Sequence, residues 1–187
     1  MSSLQTRYDP VAVTLHWIIA CAIIALIPLG FFMGDLPIAI KFTGYALHKS
    51  LGITVLALSI FRVIWRLMNP PPPVPETTKP YERLLAHTAH GLLYFLIVAM
   101  PLTGWIFTSA TPKFPIVFFW LGEVPFLPMP EGINLKVTHD LFNELHEALG
   151  YGAIFLVTLH IAAALKHHFI MHDNVLTRML PRWRSHA

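Results

Sequence analysis

The run from Pro10 to Gly34 contains no Asp, Glu, Lys or Arg. A segment of that length and character is poorly suited to the surface of a water-soluble domain. It is long enough to cross hydrocarbon as a helix, which takes roughly 20 mostly apolar residues. Three more runs follow. Ser50 to Phe61 is free of charge but short, and it reaches spanning length only through His48 and Lys49 on one side and through Arg62 to about Leu67 on the other. Gly91 to Ala110 is clean, with a helix start near Leu84, and Ala148 to Leu165 extends back to about Asn143. The sequence therefore predicts an all-α, integral membrane four-helix bundle. It forms one membrane domain over 1–187, with helices at about 10–34, 44–67, 84–110 and 143–168. Composition agrees: 12% of residues are charged and mean hydropathy is +0.59, where soluble proteins carry about 25% charged residues. Pro28 and Pro101 fall inside two spans, where a kink is tolerated. The first run exceeds the roughly 7–15-residue apolar core of a signal peptide and ends in no small-residue cleavage site, so it is expected to remain as a mature helix.

The connections carry the charge. Arg7, Arg62, Arg66, Lys79, Arg83, Lys166, Arg178, Arg182 and Arg184 fall at one end of the bundle, and Lys41, Lys49, Lys113 and Lys136 at the other. The positive-inside rule then puts both termini in the cytoplasm. In a bacterial cell the four-lysine end faces the periplasm. The stretch at 69–80, NPPPPVPETTKP, cannot be helical because consecutive prolines lack amide donors, so it reads as an extended cytoplasmic link. The proline-broken, aromatic stretch at 111–138 reads as a loop on the outer interface. The basic tail with Trp183 reads as resting on the inner surface. Because the basic residues sit at the ends of apolar runs, the pI of 9.2 implies a lipid bilayer as partner and no nucleic acid.

One cysteine, Cys21, rules out a disulfide framework and a thiolate-held iron–sulfur cluster, which takes about four cysteines. Histidine is the unusual resource, with 11 in so apolar a chain. His146 and His160 lie within the fourth span. Fourteen residues of helix rise about 21 Å in nearly four turns, so the two share a face within about 40°. Each has a partner at its own depth. His16, about two turns into the first helix, matches His160. His48, near the start of the second, matches His146. Two imidazoles facing each other across a bundle are what a bis-histidine haem requires, and two such pairs point to two haems stacked across the bilayer. A lone histidine in a membrane helix can equally hydrogen-bond a neighbouring helix. Zinc or copper and a proton relay are further readings, although zinc usually takes four clustered ligands, which pairs about 20 Å apart cannot supply. His90, at the depth of His16, is a rival partner for His160 or a contact for a haem propionate. Gly30, Gly52, Gly91, Gly104, Gly150 and Gly152 offer smooth helix faces against which a ring could lie.

Taken together, LHW at His16, LHKSLG at His48, FRVIWRLMNPPPP after the second helix, LAHTAHGLLY opening the third, and LHEALGYG with LHIAAALKHHF in the fourth resemble the bacterial cytochrome b561 family. The resemblance covers nearly the whole chain in order. It implies a di-haem b protein of the bacterial inner (cytoplasmic) membrane, with His16 and His160 on the inner haem iron and His48 and His146 on the outer. It also implies electron exchange with ubiquinone or another membrane quinone, with superoxide or a periplasmic redox partner as donor. An electron-carrying subunit for a partner dehydrogenase, or a haem- or metal-handling membrane protein without turnover, are the alternatives. Lys49 on the outer side, and Arg62 and Arg66 on the inner, are candidate propionate contacts. Lys41, Lys49 and Lys136 could form a basic funnel for an anionic donor. His167, one heptad beyond His160, is the candidate quinone contact.

Overall fold

The structure, a computed structural model, describes residues 7–73 and 79–181. Arg182, Trp183 and Arg184 of the basic tail, and residues 74–78 of the proline-rich link, lie outside the described residues. The four long helices are α1 (Pro10–Phe32), α2 (Ile38–Met68), α3 (Pro80–Ala110) and α4 (Leu135–Phe169). All four are long and apolar enough to cross a membrane.

Local chemistry sets the helix starts. The Asp9 carboxylate accepts from Ala12 N at 3.0 Å and Pro10 occupies the first helical position, while Asn134 Oδ1 accepts from Val137 N at 3.1 Å. Both are side-chain caps of the kind that satisfies a helix's unpaired first amides. The last three helices begin before their apolar runs do, at Ile38, Pro80 and Leu135 rather than near 44, 84 and 143. Helical hydrogen bonding needs no apolar side chains, so polar turns such as KVTHD extend α4 beyond the greasy segment. Helices of 31 to 35 residues are about 46–52 Å long, against a hydrocarbon core of about 30 Å. Their ends therefore stand in the headgroup layers or in water.

Burial is distributed as a lipid solvent demands. Ile24, Phe95 and Phe155, in the middles of three helices, are 56%, 60% and 64% exposed, a surface suited to acyl chains and costly in water. The interior instead takes small and polar residues, including Ser50, Ser59, Thr103 and Ser109, beside Leu15, Ile19, Val55 and Leu96. α1 packs along α2, α2 along α3, and α3 along α4. The α1–α4 seam is bridged by rings: Phe31 meets Tyr151 at 5.2 Å between centroids and His16 meets His160 at 6.1 Å.

The two ends of the bundle are closed differently. At the termini end, Arg7 Nη2 donates to Thr177 O and Trp17 Nε1 to Met179 O, both at 2.6 Å, so a short 3-10 turn (Thr177–Met179) is tied to α1. Trp65 Nε1 donates to Asp9 Oδ1 at 2.9 Å, and Arg178 Nη1 to Pro73 O at 2.9 Å.

At the opposite end, part of the segment expected to be loop forms an antiparallel hairpin, β1 (Ile116–Phe118) with β2 (Gly122–Val124). Its turn places Phe119 and Trp120 at φ of 45° and 60°. Tight hairpin turns require positive φ and favour Asn-Gly there, so two aromatic residues in this conformation cost on the order of 1–3 kcal/mol each. Docking on α2 helps to offset that strain. Ser50 Oγ is bonded to Ala46 O at 2.8 Å and to Val117 O at 2.9 Å, and accepts from Phe119 N at 3.0 Å. Ile116 is 2% exposed. Ser50→Ala should leave Phe119 N–H and Val117 C=O short of a partner, at a cost of about 1–3 kcal/mol. Amide hydrogen exchange should then rise in residues 116–124 while the four helices stay protected; unchanged hairpin protection would show that Ser50 does not hold it.

Candidate functional site

The bundle brings the sequence-predicted histidines together in two places. His48 of α2 and His146 of α4 face each other near the hairpin end, with ring centroids 6.2 Å apart and planes at 77°. His16 of α1 and His160 of α4 face each other toward the termini end at 6.1 Å and 71°. The two arrangements are nearly the same, although different helices build them. An imidazole nitrogen binds a first-row metal at about 2.0 Å, so two rings on opposite sides of one iron have centres roughly 6 Å apart. Both pairs have that span. His90 also reaches His160, at 5.4 Å and 82°, a closer edge contact than the trans-metal span.

The hairpin-end pair is held from behind by glycine. A Cβ on Gly30 of α1 would lie 2.9 Å from His48 Cε1, and a Cβ on Gly104 of α3 would lie 3.1 Å from His146 Cε1. In both cases Nε2 is the farthest of the nearby ring atoms, at 3.9 Å. Each ring therefore leans its Cε1–Nδ1 edge on a bare backbone and turns Nε2 away from it. At these two positions the smooth glycine faces meet the histidine rings themselves.

Hydrogen bonding then sets a tautomer. His146 Nδ1 lies 2.9 Å from Met100 O and 3.1 Å from Thr103 Oγ1, and Thr103 Oγ1 donates to Met100 O at 2.7 Å. A carbonyl can only accept, so Nδ1 carries the proton and Nε2 keeps its lone pair for a metal. A partner on the non-ligating nitrogen is the usual way a metal-binding histidine is oriented. His48 differs, because its Nδ1 is buried without a hydrogen-bond partner.

Beside the hairpin-end pair lies an apolar cavity, lined by Ile27, Val55, Leu96 and Val157 among others. Only His48 and His146 bring polar side chains to its wall. Facing imidazoles at the trans-metal span, rings backed by glycine, a lone pair held ready on Nε2 and an apolar cavity together fit a haem.

The remaining predicted residues are placed as follows. Arg62 and Arg66 lie over the Tyr94 ring, 5.6 and 5.3 Å from its centroid, and Arg62 Nη1 also donates to Ala12 O at 3.0 Å. A guanidinium has five donors, so these contacts leave capacity for a carboxylate. His90 Nδ1 donates to Ala86 O at 2.7 Å, so its Nε2 can meet a propionate as a donor only when the ring is protonated. Lys49 is half-buried beside His48. Lys136 pairs with Asp140 at 2.9 Å, which weakens it as part of a basic funnel. His167 Nδ1 is paired with Asp173 Oδ2, and Asp173 N donates back to His167 O at 3.1 Å. Sequence reasoning missed Thr103 and Asp173. The PLTG stretch after Met100 was the available signal, since a proline and a glycine within one turn mark an irregular helix face.

The four membrane-spanning-length helices and the paired interior histidines define a class, a multi-pass membrane cytochrome, and the family below implies haem b and electron transfer. Residues 7–182 match the family model for prokaryotic cytochrome b561, and the chain belongs to that family. It is 34% identical over 184 residues to cytochrome b561 homolog 2 of Escherichia coli (strain K12), covering 96% of this chain and 94% of that protein. It is 27% identical over 182 residues to the probable superoxide oxidase CybB of Yersinia pestis, covering 97% and 100%. A second Escherichia coli relative, cytochrome b561 homolog 1, is 30% identical over 135 residues, covering 72% and 73%.

Proposed function

We propose that the chain is a two-haem electron conduit that takes electrons from superoxide at the hairpin end and delivers them to a membrane quinone at the termini end. The observation that carries the number of haems is the pair of histidine separations, 6.1 and 6.2 Å, at two depths of one bundle. His16 with His160 and His48 with His146 would hold the haems; the 5.4 Å between His90 and His160 is shorter than either of those separations. The name of the Yersinia pestis relative supports superoxide as the donor. The asymmetry of basic residues supports a cytoplasmic location for both termini and an inner-membrane setting.

Haem b held by these imidazoles would supply reversible one-electron transfer. The protein does the rest. α4 carries one ligand of each pair on a single face, about 21 Å apart along the axis, and so sets the distance across the bilayer. The aliphatic cavity wall offers water almost no hydrogen-bond partner. Arg62 and Arg66 offer donors to carboxylates at the termini end, and Lys49 offers one at the hairpin end. His167, oriented through Nδ1 by Asp173, would give a proton from Nε2 to the reduced quinone when the ring carries both protons.

The purified protein should become reduced, by its visible absorbance, when superoxide is generated beside it, and should reoxidise when a quinone analogue is added. No other protein should be needed. Reduction that appears only with an added dehydrogenase or periplasmic redox protein would instead identify the chain as a subunit of a larger electron-transfer system.

A further inference from the structure

We infer that Thr103 is a positioning residue that makes His146 the more electron-rich ligand of the hairpin-end centre and so biases electrons to leave that centre for the termini end. The inference rests on the two-haem reading and concerns this chain's own groups. Thr103 is 5% exposed and its hydroxyl proton is committed to Met100 O at 2.7 Å. Its oxygen therefore faces His146 Nδ1, at 3.1 Å, as an acceptor. With Met100 O at 2.9 Å, the Nδ1–H has two acceptors, and both pull the ring toward imidazolate character. Such an outer partner raises ligand basicity. A more basic ligand favours the oxidised iron and lowers the midpoint potential. The opposite ligand receives no such help, since His48 Nδ1 is buried without a partner. The termini-end rings have no hydroxyl bonded to them among the described residues. Thr103 therefore acts on one ligand of one centre. A hairpin-end centre held at lower potential passes its electron onward more readily, which suits a conduit fed from that end.

Thr103→Val keeps the shape and removes the acceptor. Redox titration of the whole protein, followed by optical absorbance, should show the hairpin-end midpoint moving positive and the other unmoved. The centres are assigned by comparison with a His160→Ala chain that retains only the hairpin-end haem. At fixed ambient potential, the ratio of reduced to oxidised hairpin-end haem should rise about threefold. The effect is modest because Met100 O remains a partner of the same nitrogen. Thr103→Ser keeps the hydroxyl and should retain the original midpoint, and Thr103→Ala repeats the test should valine not load haem. An unmoved hairpin-end midpoint, an equal movement of both midpoints, or a serine variant shifted as far as valine each overturns the inference. Haem quantified per chain separates this from the underlying reading: a chain with fewer than two haems before substitution defeats that reading and the inference with it.

Discussion

The His146→Ala chain should carry one haem where the unsubstituted chain carries two, and His160→Ala should lose the other. Each substitution removes one member of a facing pair and leaves the second pair intact, because the pairs share only the α4 backbone and sit about 21 Å apart on it. Reduced-minus-oxidised spectra of the two variants should therefore add up to the spectrum of the parent, with haem per chain halved in each. His90→Ala should keep both haems, since its ring makes a 5.4 Å edge contact with His160 rather than standing across from it. Full haem content in both His146→Ala and His160→Ala would mean that these imidazoles do not hold iron. One haem lost in His90→Ala and none in His16→Ala would reassign the partner of His160.

Gly30→Ala is expected to empty the hairpin-end site although it replaces no candidate ligand. Alanine is the better helix former by about 1 kcal/mol, so propensity alone predicts a more stable α1. Packing decides the other way. The new methyl would sit 2.9 Å from His48 Cε1, and neither the ring nor the α1 backbone is a flexible chain end that can step aside. The ring must rotate, and its Nε2 loses the trans-facing position opposite His146. Gly104→Ala should act in the same direction on His146, more weakly, since its contacts are 3.1 and 3.3 Å. Gly52→Ala is the control, because a Cβ there meets nothing within 4 Å; it should keep both haems. Haem per chain and the low-spin spectrum of detergent-purified protein check all three, and normal hairpin-end haem in Gly30→Ala would show that the close approach of α1 is not needed.

The pattern of apolar runs was sufficient to identify four membrane helices, because a lipid solvent leaves a spanning segment little choice except to satisfy its own backbone. The 3.6-residue period placed His146 and His160 on one face for the same reason, and their depth suggested His16 and His48 as partners before any contact was visible. These features are local, or follow from helix rise alone. What the sequence could not determine depends on which helix side meets which. Gly30 backs His48 and Gly104 backs His146 only because α1 lies along α2 and α3 along α4. Nothing in the spacing of six candidate glycines distinguishes those two. Thr103 reaches His146 across 43 residues of chain, and a threonine in a span usually bonds within its own helix. The hairpin depends on a buried serine of α2 accepting an amide 69 residues away, which offsets a turn that its own residues disfavour. Periodicity and solvent set the elements and their depth; helix-to-helix contact decided which atoms face the ligands, because hydrogen bonds and close approaches of a few ångströms are properties of packing and leave no period in the chain.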